Sequence, residues 1–109
     1  MSTFESLNLS SEILADIRRA GFEAPTPIQA QAIPPALAGG DVIGCAQTGT
    51  GKTAAFAIPM IERLAGGAGL RALVLAPTRE LALQIQECFD SLGAGRRVSA
   101  ATVIGGEAM

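Results

Sequence analysis

Residues 46–53 read Ala-Gln-Thr-Gly-Thr-Gly-Lys-Thr, and they lie between a short apolar run, Val42-Ile43-Gly44-Cys45, and a stretch of helical spacing that begins near Lys52. This junction restricts the fold more than any other feature of the chain. An apolar run without alternation predicts a strand covered on both faces. Glycines at 49 and 51 let the loop turn its backbone N–H groups inward around an anion. A helix that starts there adds unpaired N–H groups and the positive end of its dipole. Lys52 brings a point charge within reach of β- and γ-phosphates, and the Thr53 hydroxyl suits Mg²⁺. Strand, loop and helix together are the context in which such a loop holds phosphate. The general pattern has glycine where this chain has Ala46, and the competing reading is an ordinary glycine-rich turn into a helix.

The flanking segments predict the rest of the architecture. Ser10 caps an amphipathic helix over residues 10–20, with Ile13, Leu14, Ile17 and Ala20 on one face and Gly21 as its stop. Thr26, Pro27 and Gln29 form a capping-box signature, opening a short helix that runs to about Ile33 before Pro34-Pro35 disturbs it. The helix from Lys52 to Leu64 carries Phe56, Met60 and Leu64 at four-residue spacing, and Pro59 kinks or shortens it. Residues 72–76 predict a second buried strand. Thr78 caps a helix with the stripe Leu81, Ile85, Cys88, Phe89 and Leu92, which ends at Gly93, and residues 97–104 predict a third strand. The order is helix, helix, then strand–helix–strand–helix–strand. It predicts an α/β domain with a parallel sheet flanked by helices.

Composition excludes several classes. The 109 residues, 49% hydrophobic and 17% charged, suit one globular domain. A net charge of −2 gives no global basic field, so any nucleic-acid contact must be local. Arg18-Arg19 and Arg96-Arg97 read as surface charge. Cys45 and Cys88, with no histidine in the chain, predict buried free thiols of a reducing cytosol and no zinc site. No secretion signal opens the sequence and no apolar run reaches the roughly 18 residues of a membrane span. The expected location is cytoplasmic, without a membrane partner.

The residues now point to a family. Ala46 to Thr53 resembles motif I of the DEAD-box RNA helicases, which begins with Ala, so Ala46 fits the family better than the general pattern. Gly21-Phe22-Glu23-Ala24-Pro25-Thr26-Pro27-Ile28-Gln29 resembles that family's Q motif, and Phe4 stands 17 residues before Gly21, where the family places an isolated aromatic. The Q-motif region thus spans about residues 4–29. Pro77-Thr78-Arg79-Glu80-Leu81-Ala82 matches motif Ia over residues 77–82, and Gly105-Gly106 is similar to the family's glycine pair. The motifs stand in the family's order and spacing, the resemblance covers the whole chain, and the short N-terminus has a bacterial style.

The resemblance implies that residues 1–109 are the N-terminal part of a RecA-like, P-loop ATP-binding domain, with ATP and Mg²⁺ as cofactors. It implies that Gln29 pairs with the adenine edge, that Phe4 packs against the ring, that Ala46, Gln47, Thr48, Gly49, Thr50, Gly51, Lys52 and Thr53 hold the phosphates, and that Thr53 meets Mg²⁺. The competing reading of Gln29 is completion of the capping box with Thr26, and the two roles are compatible. For Phe22, core packing stands beside a nucleotide contact. The resemblance further implies RNA as a partner, contacted along its backbone without reading of sequence, at Pro77, Thr78, Arg79, Gly105 and Gly106. A helix cap at Thr78 and a solvated first turn at Arg79 are the alternatives.

The family's Asp-Glu-Ala-Asp segment, its Ser-Ala-Thr motif and its second RecA-like domain do not occur in these 109 residues. An arginine finger from that second domain contributes about 10³–10⁵ in rate. The expectation is therefore that this chain alone neither hydrolyses ATP usefully nor unwinds RNA, and no catalytic residue is assigned beyond the phosphate contact of Lys52. The neighbours of the Val42–Cys45 strand are expected from later in a full domain, leaving unpaired edges that favour association. The alternatives for function are another P-loop ATPase, which would treat ATP and GTP alike, or a non-catalytic nucleotide-binding module.

Overall fold

Four helices carry the computed structural model, which describes residues 3–44, 51–66 and 71–103. A 3-10 turn at Glu5–Leu7 precedes α1 (Ser11–Arg19); α2 spans Pro27–Leu37, α3 Lys52–Leu64 and α4 Arg79–Gly93, and a second 3-10 turn follows at Ala94–Arg96. α3 packs against both α2 and α4, and α1 lies on α4 and the turn after it. The core between them is Phe4, Leu7, Ile13, Ile17, Ile33, Ala54, Ala57, Ile58, Ile61, Ile85, Phe89 and Leu92.

The helix boundaries follow local chemistry. Ser10 Oγ accepts the Ile13 N–H at 3.3 Å, satisfying one of the first-turn donors that a helix leaves unpaired. α1 ends in a Schellman motif: the Gly21 N–H donates to the Arg18 carbonyl at 3.0 Å and the Phe22 N–H to the Ile17 carbonyl at 3.1 Å. Gly21 takes φ +88°, a conformation that side chains with a Cβ rarely adopt. The motif fixes where Phe22 leaves the helix. Thr26 and Gln29 form the expected capping box.

Two prolines do not end α2 at Ile33. The helix continues through Pro34 and Pro35 to Leu37. Both prolines and Gln31 face solvent, where water can satisfy carbonyls released by the missing N–H donors. The Gly39 and Gly40 N–H groups then close the end on the Ala36 and Pro35 carbonyls, each at 3.1 Å. α3 likewise runs through Pro59 to Leu64. Its buried face is Ala54, Ala57, Ile58 and Ile61, whereas Phe56 and Met60 are only half-buried, so the stripe expected at 56, 60 and 64 borders the core rather than forming it.

The expected sheet is not seen among the described residues. No strand ladder forms at 42–44, 71–77 or 97–103. Ile43, Leu73 and Leu75 are 98%, 82% and 85% exposed. Apolar periodicity marks a segment suited to burial but supplies no partner, and a strand exists only where a neighbour completes its hydrogen bonds. The segment after α4 is held by side chains instead: the Asp90 carboxylate accepts the Ala100 N–H at 3.3 Å, and the Thr102 hydroxyl pairs with the Gln86 side-chain carbonyl.

Candidate nucleotide site

α3 begins at two of the residues expected to hold phosphate, Lys52 and Thr53. Gly51 is its N-cap at φ +82°, with no side-chain cap among the described residues, and Lys52 and Thr53 form its first turn. Lys52 is exposed and Thr53 half-buried. The first-turn N–H groups and the dipole therefore point at the position where an anion would sit. Ala46, Gln47, Thr48, Gly49 and Thr50, the rest of the expected phosphate loop, lie outside the described residues, as do Cys45, Gly105 and Gly106.

Gln29 connects this end of α3 to the Q-motif segment. It is 3% exposed. Its Oε1 accepts the Thr26 N–H at 3.0 Å, and its Nε2 donates to the Gly51 carbonyl at 3.2 Å. A Cβ at Gly51 would stand 2.5 Å from Gln29 Nε2 and 3.3 Å from the Thr26 side chain, so any larger residue would displace that carboxamide as well as strain the φ of +82°. The capping-box role is thus real. It consumes one acceptor site of the carboxamide, and the Gly51 bond consumes one donor. An amide carries two donors and two acceptor sites, so one of each remains unpaired among the described residues.

The two aromatic residues divide their work. Phe4 is 2% exposed, inside the core, whereas Phe22 is 37% exposed. Their rings stack at 6.5 Å between centroids with 25° between planes. Phe22 also lines a groove of about 990 Å³ shared with Gly51, Lys52, Thr53, Leu81 and Cys88. Both rings also line a smaller cavity of about 420 Å³, and Phe22 is the more exposed of the two, although the sequence alone left core packing as an equal alternative for it.

Pro77, Thr78 and Arg79 are exposed. The Thr78 hydroxyl accepts the Leu81 N–H at 3.1 Å, so its cap role holds, and Arg79 lies exposed in the first turn of α4. Cys88, on the groove wall, is a free thiol whose pKa burial pushes from an ordinary 9.0 up to about 11. The folded pKa lies above the unfolded one. The stabilisation tied to the neutral thiol is therefore complete below pH 9 and is lost as pH rises toward 11. Iodoacetamide labelling of Cys88 at pH 8, followed by peptide mass spectrometry, is expected to be about 100-fold slower in the native chain than in urea. Equal rates in the two conditions would contradict that.

Sequence reading missed a polar node at the far end of the helices. Asp16 is buried on α1, where its Oδ2 accepts the Gly95 N–H at 2.8 Å and its Oδ1 pairs with Arg19. Arg96 is not plain surface charge, for it bridges Glu12 at 3.3 Å and Glu62 at 3.9 Å. Arg18 pairs with Glu5 at 3.1 Å. The signal for Asp16 was present, since residues 13, 16, 17 and 20 share one helical face.

Comparison with solved structures defines the class. The chain superposes with a TM-score of 0.88 on the RNA-helicase Prp28 from Chaetomium thermophilum bound to ADP, at 38% identity, covering 99% of this chain and 28% of that one. It superposes with a TM-score of 0.81 on Saccharomyces cerevisiae Dbp5 bound to RNA and ADP BeF3, at 38% identity over 87% of this chain and 25% of that one. The fold is that of part of a helicase RecA-like domain. Residues 26–109 match the DEAD/DEAH box helicase family. The DEAD-box ATP-dependent RNA helicase CshA of Geobacillus kaustophilus is 52% identical over 108 residues, covering 98% of this chain and 23% of the relative. The chain belongs to the DEAD/DEAH box helicase family, and it spans less than a quarter of the length of that curated relative.

Proposed function

We propose that this chain is an ATP-binding and RNA-contacting part of an ATP-dependent RNA helicase, and that the complete protein couples ATP binding and hydrolysis to local RNA strand separation in the cytoplasm. The observation that carries the reading is the bond between Gln29 and Gly51. It joins the group suited to adenine to the turn that opens α3 at Lys52 and Thr53. The donor and the acceptor site left on the Gln29 carboxamide match adenine, whose N7 accepts and whose N6 donates; guanine offers only acceptors on that edge. Phe22, backed by Phe4, offers a ring face for stacking at the groove.

Lys52 and the first turn of α3 take the phosphates, together with Ala46 to Thr50 by resemblance, and Thr53 takes Mg²⁺. The magnesium ion supplies charge neutralisation on the phosphates. Exposed Pro77, Thr78 and Arg79, with Gly105 and Gly106 by resemblance, contact RNA phosphates and sugars. Such contacts position the strand without reading sequence.

Thermal unfolding followed by circular dichroism tests this, because the chain has no tryptophan or tyrosine to report by fluorescence. At a hundred times its dissociation constant, Mg·ATP stabilises the folded state by about 2.7 kcal/mol, a shift of several degrees for a domain of this size. Mg·GTP is expected to shift it far less, Gln29→Ala to erase the difference, and Lys52→Ala to abolish the shift. Equal shifts with ATP and GTP would favour a different kind of P-loop protein, and no shift with either would overturn the reading.

A further inference from the structure

Glu62 lies near the C-terminal end of α3, outside every motif, yet its side chain is only 13% exposed. Its Oε2 accepts the Ser10 N–H at 2.7 Å and its Oε1 accepts the Ser10 hydroxyl, also at 2.7 Å. These two bonds join residues 52 apart in sequence. The Ser10 hydroxyl serves twice, donating to Glu62 while accepting the Ile13 N–H at 3.3 Å as the cap of α1. Arg96, 3.9 Å from Glu62 and 3.3 Å from Glu12, balances the carboxylate charge. Charge-assisted bonds of this length are about twice as strong as neutral ones and fix geometry as well as energy.

The position matters because of what the two joined helices carry. α3 is the rod whose first turn holds Lys52 and Thr53, about 15 Å from Glu62 at 1.5 Å per residue. α1 ends in the Schellman bonds that fix Phe22, and its Ile17 shares the core with Phe4. In that reading the stacking platform and the triphosphate thus fall to two different elements, and the grip on Ser10 is a direct polar tie between α1 and α3. We propose that Glu62 is a positioning residue for nucleotide binding, which sets the Phe4–Phe22 platform relative to Lys52 and Thr53. The inference rests on the ATP-binding reading above. A ligand gripped at two points gains affinity only when both points are held at matching separation. Loosening the tie therefore weakens ATP, which spans both, and leaves tripolyphosphate, which meets only the phosphate end.

Isothermal titration of the full chain with Mg·ATP and with magnesium tripolyphosphate tests this. In Glu62→Ala the ATP affinity is expected to fall on the order of tenfold while tripolyphosphate affinity holds within about twofold. Glu62→Gln is expected to restore the ratio, since it keeps an acceptor for the Ser10 N–H and offers a donor to the hydroxyl oxygen. Should Glu62→Ala fail to fold, Ser10→Gly removes the hydroxyl tie while keeping the N–H and a tolerated cap, and the same fall in the ratio is expected. An unchanged ratio, or equal losses for both ligands, would overturn the positioning role. A wild-type chain that binds ATP no better than tripolyphosphate would instead remove the adenine reading beneath it.

Discussion

Ile58→Ala is expected to lower the free energy of unfolding by about 2–5 kcal/mol, the largest effect of any single substitution considered for this chain. Ile58 is fully buried in the middle of α3, the helix that packs on both α2 and α4. Truncation removes the transfer energy of the lost methyl and methylene groups. It also leaves a cavity that neighbours such as Ile33 and Phe89 refill only in part, which is why the cost exceeds transfer alone. Ile58→Val, which removes a single methylene, is expected to cost about 0.5–1.5 kcal/mol. Urea unfolding followed by circular dichroism gives both values. The site would register the larger change as well, because Ile58 lies about 9 Å along the helix from Lys52 at 1.5 Å per residue. A loss below about 1 kcal/mol for the alanine variant, with an unchanged denaturant slope, would mean that α3 is not the central packing element.

Asp16→Ala is the second large effect, an expected loss of about 1.5–3 kcal/mol, the range for a hydrogen bond to a charged group. The substitution leaves the Gly95 N–H without its partner. Asp16→Asn separates the bond from the charge. It keeps an acceptor for Gly95 and loses only the pairing with Arg19, whose side chain is 65% exposed while the Asp16 carboxylate is buried, so it is expected to cost less than the alanine variant. The same urea titrations decide between them. If Asn costs as much as Ala, charge rather than the Gly95 bond holds α1 to the turn after α4.

The helices were largely readable before the structure. Ser10, Thr26 and Thr78 each cap the helix they were expected to cap, because capping is a contact between residues three apart. The span Lys52–Leu64 of α3 matches the expected one, and α1 stops at Gly21 for a backbone reason that glycine alone announces. Pro34-Pro35 misled because proline's local cost does not say whether the released carbonyls face water. The strands were not legible in the same way, since Ile43, Leu73 and Leu75 have the composition of a buried sheet, and a ladder depends on partners beyond their own segments. At the site, residue identity pointed to Gln29, Lys52 and Thr53, but not to the ranking of Phe22 over Phe4 for ring exposure.

What the sequence by itself determined was therefore short-range: caps, helix stops, apolar faces, and the order of motifs that marks the family. These depend on residues within one or two helical turns of each other, so the chain states them directly. Tertiary structure decided what depends on distant residues meeting. The Gln29–Gly51 bond, the burial of Phe4 beneath Phe22, and the grips of Glu62 on Ser10 and Asp16 on Gly95 join segments with no shared local pattern. Such contacts are selected by packing of the whole core, and a polar side chain facing inward reveals its partner only once both ends are in place.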